Sequence, residues 1–428
     1  MRPGSDGRAL AMRRVVVVGA SLAGLRTAEA LRQAGFTGEL TIVGDETHAP
    51  YNRPPLTKAA LVHGPDPKTL ALPTARDVGA RWMLGVSATA LDLSRREVSL
   101  DTGERLPFHG VVIATGASAR RLPGGNVGVH HIRTVDDAAA LHEALARPDQ
   151  RVLVIGAGFL GSEVASTSAA LGHRVTLVEA SVGPMLAALG PALSSYCARV
   201  HRDRGVDLRP KTTVLRLSSP ARSRSGPLGT FVALLADSEG GRSTVEADIV
   251  VVALGAAPNT AWLRGSGLGT ERGVATDAAL TAQDASGAPA PGVVAVGDVA
   301  LVPQPLLAGA RRRVEHWASA VAHSRIAAET LLGRRAQPAA VVPSFWTDQH
   351  GLKIRGVGLP GAGDTTTVVD GAMEDHRFIA TSTCRGRLVG AVSVNDTQGL
   401  FRHRSELESL SSTPSRDDKD RIHDRRTA

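Results

Sequence analysis

The stretch RVLVIGAGFLGSEVASTSAALGHRVTLVE, residues 151–179, decides the fold. Five residues dominated by Val, Leu and Ile make a short buried strand, and Gly156-Ala157-Gly158-Phe159-Leu160-Gly161 follows directly. A run of small residues then makes a helix, and RVTLVE returns as a second strand. A glycine turn between strand and helix aims free backbone N–H groups, and the positive end of the helix dipole, at a pyrophosphate. Glu179 closes the second strand 18 residues after Gly161. An acid there accepts a hydrogen bond from a ribose 2′-OH and repels a 2′-phosphate, which predicts NADH over NADPH. Arg174 opens that strand, at the end away from Glu179, where a 2′-phosphate is not expected.

The same unit occurs earlier. VVVV at 15–18 leads into Gly19-Ala20-Ser21-Leu22-Ala23-Gly24, with a helix over 23–34 and a strand over 38–44. Ser21 stands where the full pattern has glycine. Two such units imply two nucleotides: FAD at the first and the nicotinamide nucleotide at the interior one. Three more buried strands end in polar or glycine turns. VVIA precedes Thr115-Gly116, DIVVVAL precedes Gly255, and VVAV precedes Gly297-Asp298. An aspartate at such a strand end can accept hydrogen bonds from the ribityl hydroxyls of a flavin. A helix is expected over 313–332, stopped by Gly333. Ser218–Gly229 and Asp284–Gly292 read as loops. After Pro338 short strands appear (KIRGVG, TTTVVD, RFIATST, LVGAVSV), and beyond about residue 405 the polar, charged sequence reads as a disordered tail.

Composition narrows the class. The chain has 428 residues, 43% of them hydrophobic, enough for several cores. Its net charge of +8 suits acidic partners. No basic block interleaves with aromatics, so nucleic acid is not expected. Two cysteines in unrelated contexts give neither a disulfide framework nor a CxxC motif, which points to the cytoplasm. No apolar run reaches the roughly 20 residues of a membrane span, and no metal-ligand pattern is present.

The segment Pro50-Tyr51-Asn52-Arg53-Pro54-Pro55-Leu56-Thr57-Lys58, with Phe345-Trp346-Thr347-Asp348-Gln349, resembles the FAD-dependent NADH:ferredoxin reductase family of the putidaredoxin-reductase and rhodocoxin-reductase kind. The resemblance runs from about Arg14 to about Phe401. In the family the two motifs read PYxRPPLSK and FWSDQ, so Thr57 replaces a serine. It implies that Gly19, Ala23, Gly24, Arg53, Lys58, Thr115, Gly116, Arg133, Gly297 and Asp298 contact FAD. Asp45 or Glu46 would hold the adenosine ribose. Glu315-His316-Trp317 would meet the pyrimidine edge of the flavin, with the following helix aimed at its N1 and O2. Lys58 would lie near the reactive nitrogen and pair with a buried glutamate. At the nicotinamide site the resemblance implies Gly156, Gly158, Leu160, Gly161, Glu179 and Gly255. Phe159 would cover the flavin until nicotinamide displaces it, and Glu163 would engage the carboxamide. Lys58, Glu163 and Trp317 are the residues expected to carry the chemistry. Ferredoxin docking is expected at Arg325, with Arg311, Arg312 and Arg313 contributing and Trp346 as an electron exit. His323 stands where the family often has glutamine.

The expected fold is α/β, with two Rossmann-like domains of the glutathione-reductase kind and a C-terminal α+β interface domain. The FAD domain would comprise 13–118 and 255–333, the NAD domain 119–254 and the interface domain 334–405. Residues 1–12 would be a flexible extension and 406–428 a disordered tail. The implied function is hydride uptake from NADH onto noncovalent FAD and single-electron delivery to a two-iron or three-iron ferredoxin. That ferredoxin would serve a haem-thiolate monooxygenase or a ring-hydroxylating dioxygenase. The protein is expected to be a monomer or weak dimer. Rubredoxin reductase, NADH oxidase or disulfide reductase, and a flavoprotein like apoptosis-inducing factor are the alternatives. A disulfide reductase needs a redox cysteine near the flavin, and Asp45 to Ala60 contains none.

Overall fold

The computed structural model describes residues 12–74, 77–123, 127–218, 229–334 and 341–412. The chain divides into two compact units. One holds the residues up to Tyr51, 71–117 and 258–341; the other holds 52–70, 118–257 and the chain from Val342 onward.

The first unit is built on a six-stranded sheet. Arg14–Val18 lies at its centre, parallel to Glu39–Gly44 on one side and Gly110–Ile113 on the other. Arg81–Leu84 extends one edge in parallel. Pro289–Ala295 pairs in parallel with Gly110–Ile113, and Thr281–Gln283 closes the other edge antiparallel. The central strands read as unbroken aliphatic runs because both faces are covered: Val15 to Val18 and Val111 to Ile113 are all buried. Helices Leu22–Gln33 and Trp317–Leu331 pack on each other in this unit.

The second unit carries the repeated pattern. Arg151–Ile155 sits between Arg174–Val178 and Ile249–Val252, all parallel, with Asp207–Arg209 at the edge. A three-stranded antiparallel sheet, Thr212–Ser218, Phe231–Asp237 and Arg242–Ala247, packs on this core through Phe231, Ala233 and Leu235. The C-terminal part is a five-stranded antiparallel sheet. Its strands Leu352–Gly358, Thr365–Ala372, Arg377–Cys384 and Arg387–Val394 contain the four short strands expected there.

Several boundaries differ from expectation. The last helix begins at Trp317, not 313, because His316 is extended (φ −114°, ψ 139°). Pro289–Ala295 is a strand where a loop was expected to reach Gly292. The tail expected from 406 is helical through Ser412, since Leu400 and Leu407 insert beneath an otherwise polar surface. Residues 1–11, 219–228 and 413–428 lie outside the described residues, and with them the expected N-terminal extension, most of the Ser218–Gly229 loop and the rest of the tail. The segment 52–70, expected with the first nucleotide unit, clusters with the second, as does the C-terminal sheet. Hydrogen bonds tie it there: His142 Nδ1 lies 2.8 Å from the Leu61 carbonyl, and Thr167 Oγ1 donates to the Thr57 carbonyl at 2.8 Å. Among the described residues no helix is long and apolar enough to cross a membrane.

A histidine pair, one member buried and the other half-buried, gives this unit a pH signature. His350 Nε2 and His201 Nδ1 lie 2.9 Å apart. Burial pushes His201 down to about 3 and His350 down to about 4. Both are therefore neutral in the fold, whereas both protonate near pH 6.5 once unfolded. The unfolded chain then binds more protons between about pH 4 and 6.5, so stability rises with pH across that window and is lost as pH falls through it. The slope is at most about 1.4 kcal/mol per pH unit for His201, and less for His350, which keeps contact with water. Calorimetry at pH 7, 6 and 5 should show a falling Tm, with a shallower fall in His201→Asn. Equal slopes in the two proteins would contradict this reading.

Candidate functional site

In the first unit, the glycines of the N-terminal turn are dictated by packing. Gly19 has φ +122°, and a Cβ there would lie 2.1 Å from the Ala114 carbonyl oxygen. A Cβ at Gly24 would lie 1.9 Å from the Gly19 carbonyl oxygen. Ala23 sits beside Gly297, where an added Cβ would be 3.0 Å from the alanine methyl. Thr115 Oγ1 donates to the Asn259 carbonyl and Asn259 Nδ2 donates to the Thr115 carbonyl, both at 2.8 Å, which fixes the turn at Gly116. Glu46 accepts from the Tyr51 hydroxyl at 2.5 Å, while Asp45 is exposed at the end of its strand. Of the two acids, Asp45 is thus the one presented outward.

Asp298 follows Gly297, and helix Trp317–Leu331 packs against this turn. The Asp298 charge pulls His316 and His323 upward, but burial dominates and holds both at about 4. His323 Nδ1 and Ser319 Oγ on that helix are buried without a hydrogen-bond partner. Orphaned buried polar atoms are costly, so they fit a polar ligand bound at this end of the unit. Arg313 donates to the Asp298 carbonyl at 3.2 Å and pairs with Glu315 at 2.9 Å. Arg313 is therefore partly engaged within its own unit. Arg311, Arg312 and Arg325 are exposed.

In the second unit, Gly156 and Gly161 repeat the packing logic. Added Cβ atoms would lie 2.4 Å from the Ala253 carbonyl oxygen and 1.9 Å from the Gly156 carbonyl oxygen. Gly158 is different. Its φ of −69° suits any residue, and a Cβ there would meet no protein atom within 4 Å. Its missing side chain leaves room at the start of helix Phe159–Ala170 for something from outside, as a pyrophosphate requires. Glu179 accepts from the Ala157 N–H and from the Ser181 N–H, each at 2.7 Å. Each carboxylate oxygen keeps a lone pair for a ribose hydroxyl. Gly255, φ +81°, is exposed just past strand Ile249–Val252, and Leu160 is also exposed. Phe159 packs on Phe345 with ring centroids 5.1 Å apart.

The same helix carries Glu163, 4% exposed. Lys58 Nζ lies 2.7 Å from Glu163 Oε2, and the Thr57 hydroxyl donates to that oxygen as well. Thr347 Oγ1 donates to Oε1 at 2.6 Å. The lysine–glutamate pair implied by the resemblance is therefore present. Arg53 and Arg133 also meet, Arg53 donating to the Arg133 carbonyl at 2.6 Å. Arg133 stands just before a Thr134–Asp137 capping box that starts helix Val135–Leu145. Trp346, half-buried, lines a groove with Arg355, Phe401 and Arg404. Sequence reasoning missed the roles of Thr57 and Thr347. Their one signal was that both lie inside the two motif segments.

Among the described residues no acidic, His or Cys cluster could hold a metal. Cys197 is buried, its thiol pushed up to about 12 by desolvation, and Cys384 is free. Neither forms a disulfide redox pair.

Comparison with known proteins agrees with this geometry. Residues 13–324 match the pyridine nucleotide-disulphide oxidoreductase family and residues 344–427 match the reductase C-terminal domain. Rhodocoxin reductase of Rhodococcus erythropolis is 35% identical, covering 92% of this chain and 89% of that protein. The ferredoxin–NAD(+) reductase component of the anthranilate 1,2-dioxygenase system of Burkholderia cepacia is 34% identical, covering 89% and 90%. The reductase in the crystal structure of the covalent putidaredoxin reductase–putidaredoxin complex superposes with a TM-score of 0.84 at 28% identity, covering 93% of each chain. With both glycine turns, the Lys58–Glu163 pair and these matches in hand, the chain belongs to the pyridine nucleotide-disulphide oxidoreductase family and carries a reductase C-terminal domain.

Proposed function

We propose that this chain is an NADH:ferredoxin reductase that takes hydride from NADH onto a noncovalent FAD and passes electrons one at a time to a small iron–sulfur ferredoxin. The observation that carries this is the pairing of Lys58 with Glu163, two residues past a complete dinucleotide turn, in a chain that holds a second such turn. Relatives named as ferredoxin–NAD(+) reductase components of dioxygenase systems support it.

The FAD pyrophosphate would lie over Gly19, Ala23 and Gly24, its adenosine ribose on Asp45 and its ribityl chain on Asp298. Thr115 and Gly116 would line the same cleft, and the start of helix Trp317–Leu331 would face the flavin's pyrimidine edge. NADH would lie over Gly156, Gly158 and Gly161, with Glu179 on its ribose. When bound, FAD supplies the exchange between a two-electron hydride donor and a one-electron acceptor. The protein's own work is placement and electrostatics. Lys58 supplies positive charge where electrons arrive. Glu163 fixes that ammonium and offers a carboxylate for the nicotinamide amide. Phe159, against Phe345, shields the site from water. Arg325, exposed on its helix, would draw an acidic ferredoxin by long-range attraction.

The purified protein should be yellow and release one FAD per chain on denaturation. NADH should bleach it anaerobically, and it should then reduce an acidic two-iron ferredoxin. Ferredoxin reduction should slow as salt rises, and Arg325→Glu should slow it several-fold at low salt while NADH bleaching stays normal. Release of FMN, flavin retained covalently, or reduction of rubredoxin but not ferredoxin would overturn this assignment.

A further inference from the structure

Glu163 is held more tightly than an ion pair requires. Its Oε2 receives Lys58 and the Thr57 hydroxyl, and its Oε1 receives the Thr347 hydroxyl at 2.6 Å. Thr347 comes from strand Ser344–Gln349 of the C-terminal sheet, 184 residues further along the chain, and is fully buried. Two residues on, Gln349 Nε2 donates to Thr347 Oγ1 at 2.9 Å and lies 3.3 Å from Met185 Sδ. The bond from Gln349 to Thr347 fixes polarity. A hydroxyl has one hydrogen and two lone pairs. With the Gln349 amide occupying the oxygen, the Thr347 hydrogen is directed to the carboxylate, which only accepts.

From this geometry we infer that Thr347, oriented by Gln349, is a positioning residue for the redox site: its hydroxyl sets the rotation of the Glu163 carboxylate and so the place of the Lys58 ammonium. The inference rests on the reductase reading above for its catalytic consequence, but not for its geometric one. Without the hydroxyl, Oε1 is a buried acceptor with no partner, and the carboxylate is free to turn toward other donors. The side chain's methyl group alone would fill space without setting direction. A serine at 347 keeps the donor, whereas a valine keeps the shape and loses it.

The protein has five lysines, Lys58, Lys68, Lys211, Lys353 and Lys419, so lysine-selective ¹⁵N labelling of the flavin-loaded protein gives a readable ammonium spectrum. The Lys58 signal is assigned by its loss in Lys58→Gln. We expect it to be sharp in the parent and in Thr347→Ser, and broadened or lost to exchange in Thr347→Val. Gln349→Met should move it the same way by less. Stopped-flow reduction by NADH should slow about tenfold in Thr347→Val and stay within twofold of the parent in Thr347→Ser. An unchanged Lys58 signal and rate in Thr347→Val would overturn the inference. So would a serine variant as impaired as the valine one, since packing and not hydrogen bonding would then be at work. If the parent is not reduced by NADH, the reductase reading fails, yet the lysine signal still decides the positioning role.

Discussion

Lys58→Ala is expected to slow flavin reduction by NADH about a hundredfold, the scale of losing one pre-oriented electrostatic donor at a reacting centre. Two effects combine. Glu163 is left buried without its cation, which is costly even before chemistry begins. The negative charge that arrives with the hydride's electrons is then opposed by that carboxylate instead of being met by an ammonium. Removing both charges in Lys58→Ala with Glu163→Gln should recover part of the loss, because the stranded anion is gone. Anaerobic stopped-flow measurement on protein with full flavin content separates this from simple cofactor loss. A Lys58→Ala protein that is reduced at the parent rate would show the lysine to be a bystander.

The second large effect is nucleotide choice. The parent should favour NADH over NADPH at least tenfold in kcat/KM, about 1.4 kcal/mol at the transition state. Glu179 repels a 2′-phosphate, but the structure adds a second duty. The same carboxylate tethers the Ala157 N–H of the glycine turn and the Ser181 N–H. Glu179→Arg should therefore erode or reverse the preference and also raise KM for both nucleotides, since the turn loses its tether. Glu179→Gln separates the two duties. It keeps an acceptor for one tether, removes the charge, and should relax the preference with a smaller rise in KM. Equal use of both nucleotides by the parent would refute the assignment.

The parts of this molecule that were legible in the sequence are those whose constraints are local. Gly24 and Gly161 announce themselves because a Cβ at each would collide with the carbonyl oxygen five residues back, while Gly19 and Gly156, whose own collisions are with Ala114 and Ala253 far along the chain, are legible because each heads the same short pattern. Unbroken aliphatic strands mark a sheet covered on both faces. What was not legible depends on partners far along the chain. Thr57 and Thr347 reach Glu163 across 106 and 184 residues, and no local pattern encodes that meeting. Arg313 looked like one of three surface charges until its neighbours Glu315 and Asp298 were seen to hold it. The end of the C-terminal helix, 406–412, read as the start of a tail because the sequence beyond about residue 405 is polar and charged. Leu400, His403 and Leu407, all buried, lie at helical spacing and were the available signal.

The Glu163 node also bears on how this reductase can be recombined with its relatives. A chimera that takes its C-terminal sheet from another family member imports whatever residue stands at the place of Thr347. Donors with serine or threonine there would complete the carboxylate's set of hydrogen bonds and, on the positioning role proposed for Thr347, leave the junction functionally silent. Donors with an apolar residue there would graft a well-folded sheet onto a misaligned redox centre. On that role, the compatibility of parental modules would depend on one hydroxyl as well as on overall sequence similarity, and a library varied at that position alone would test it.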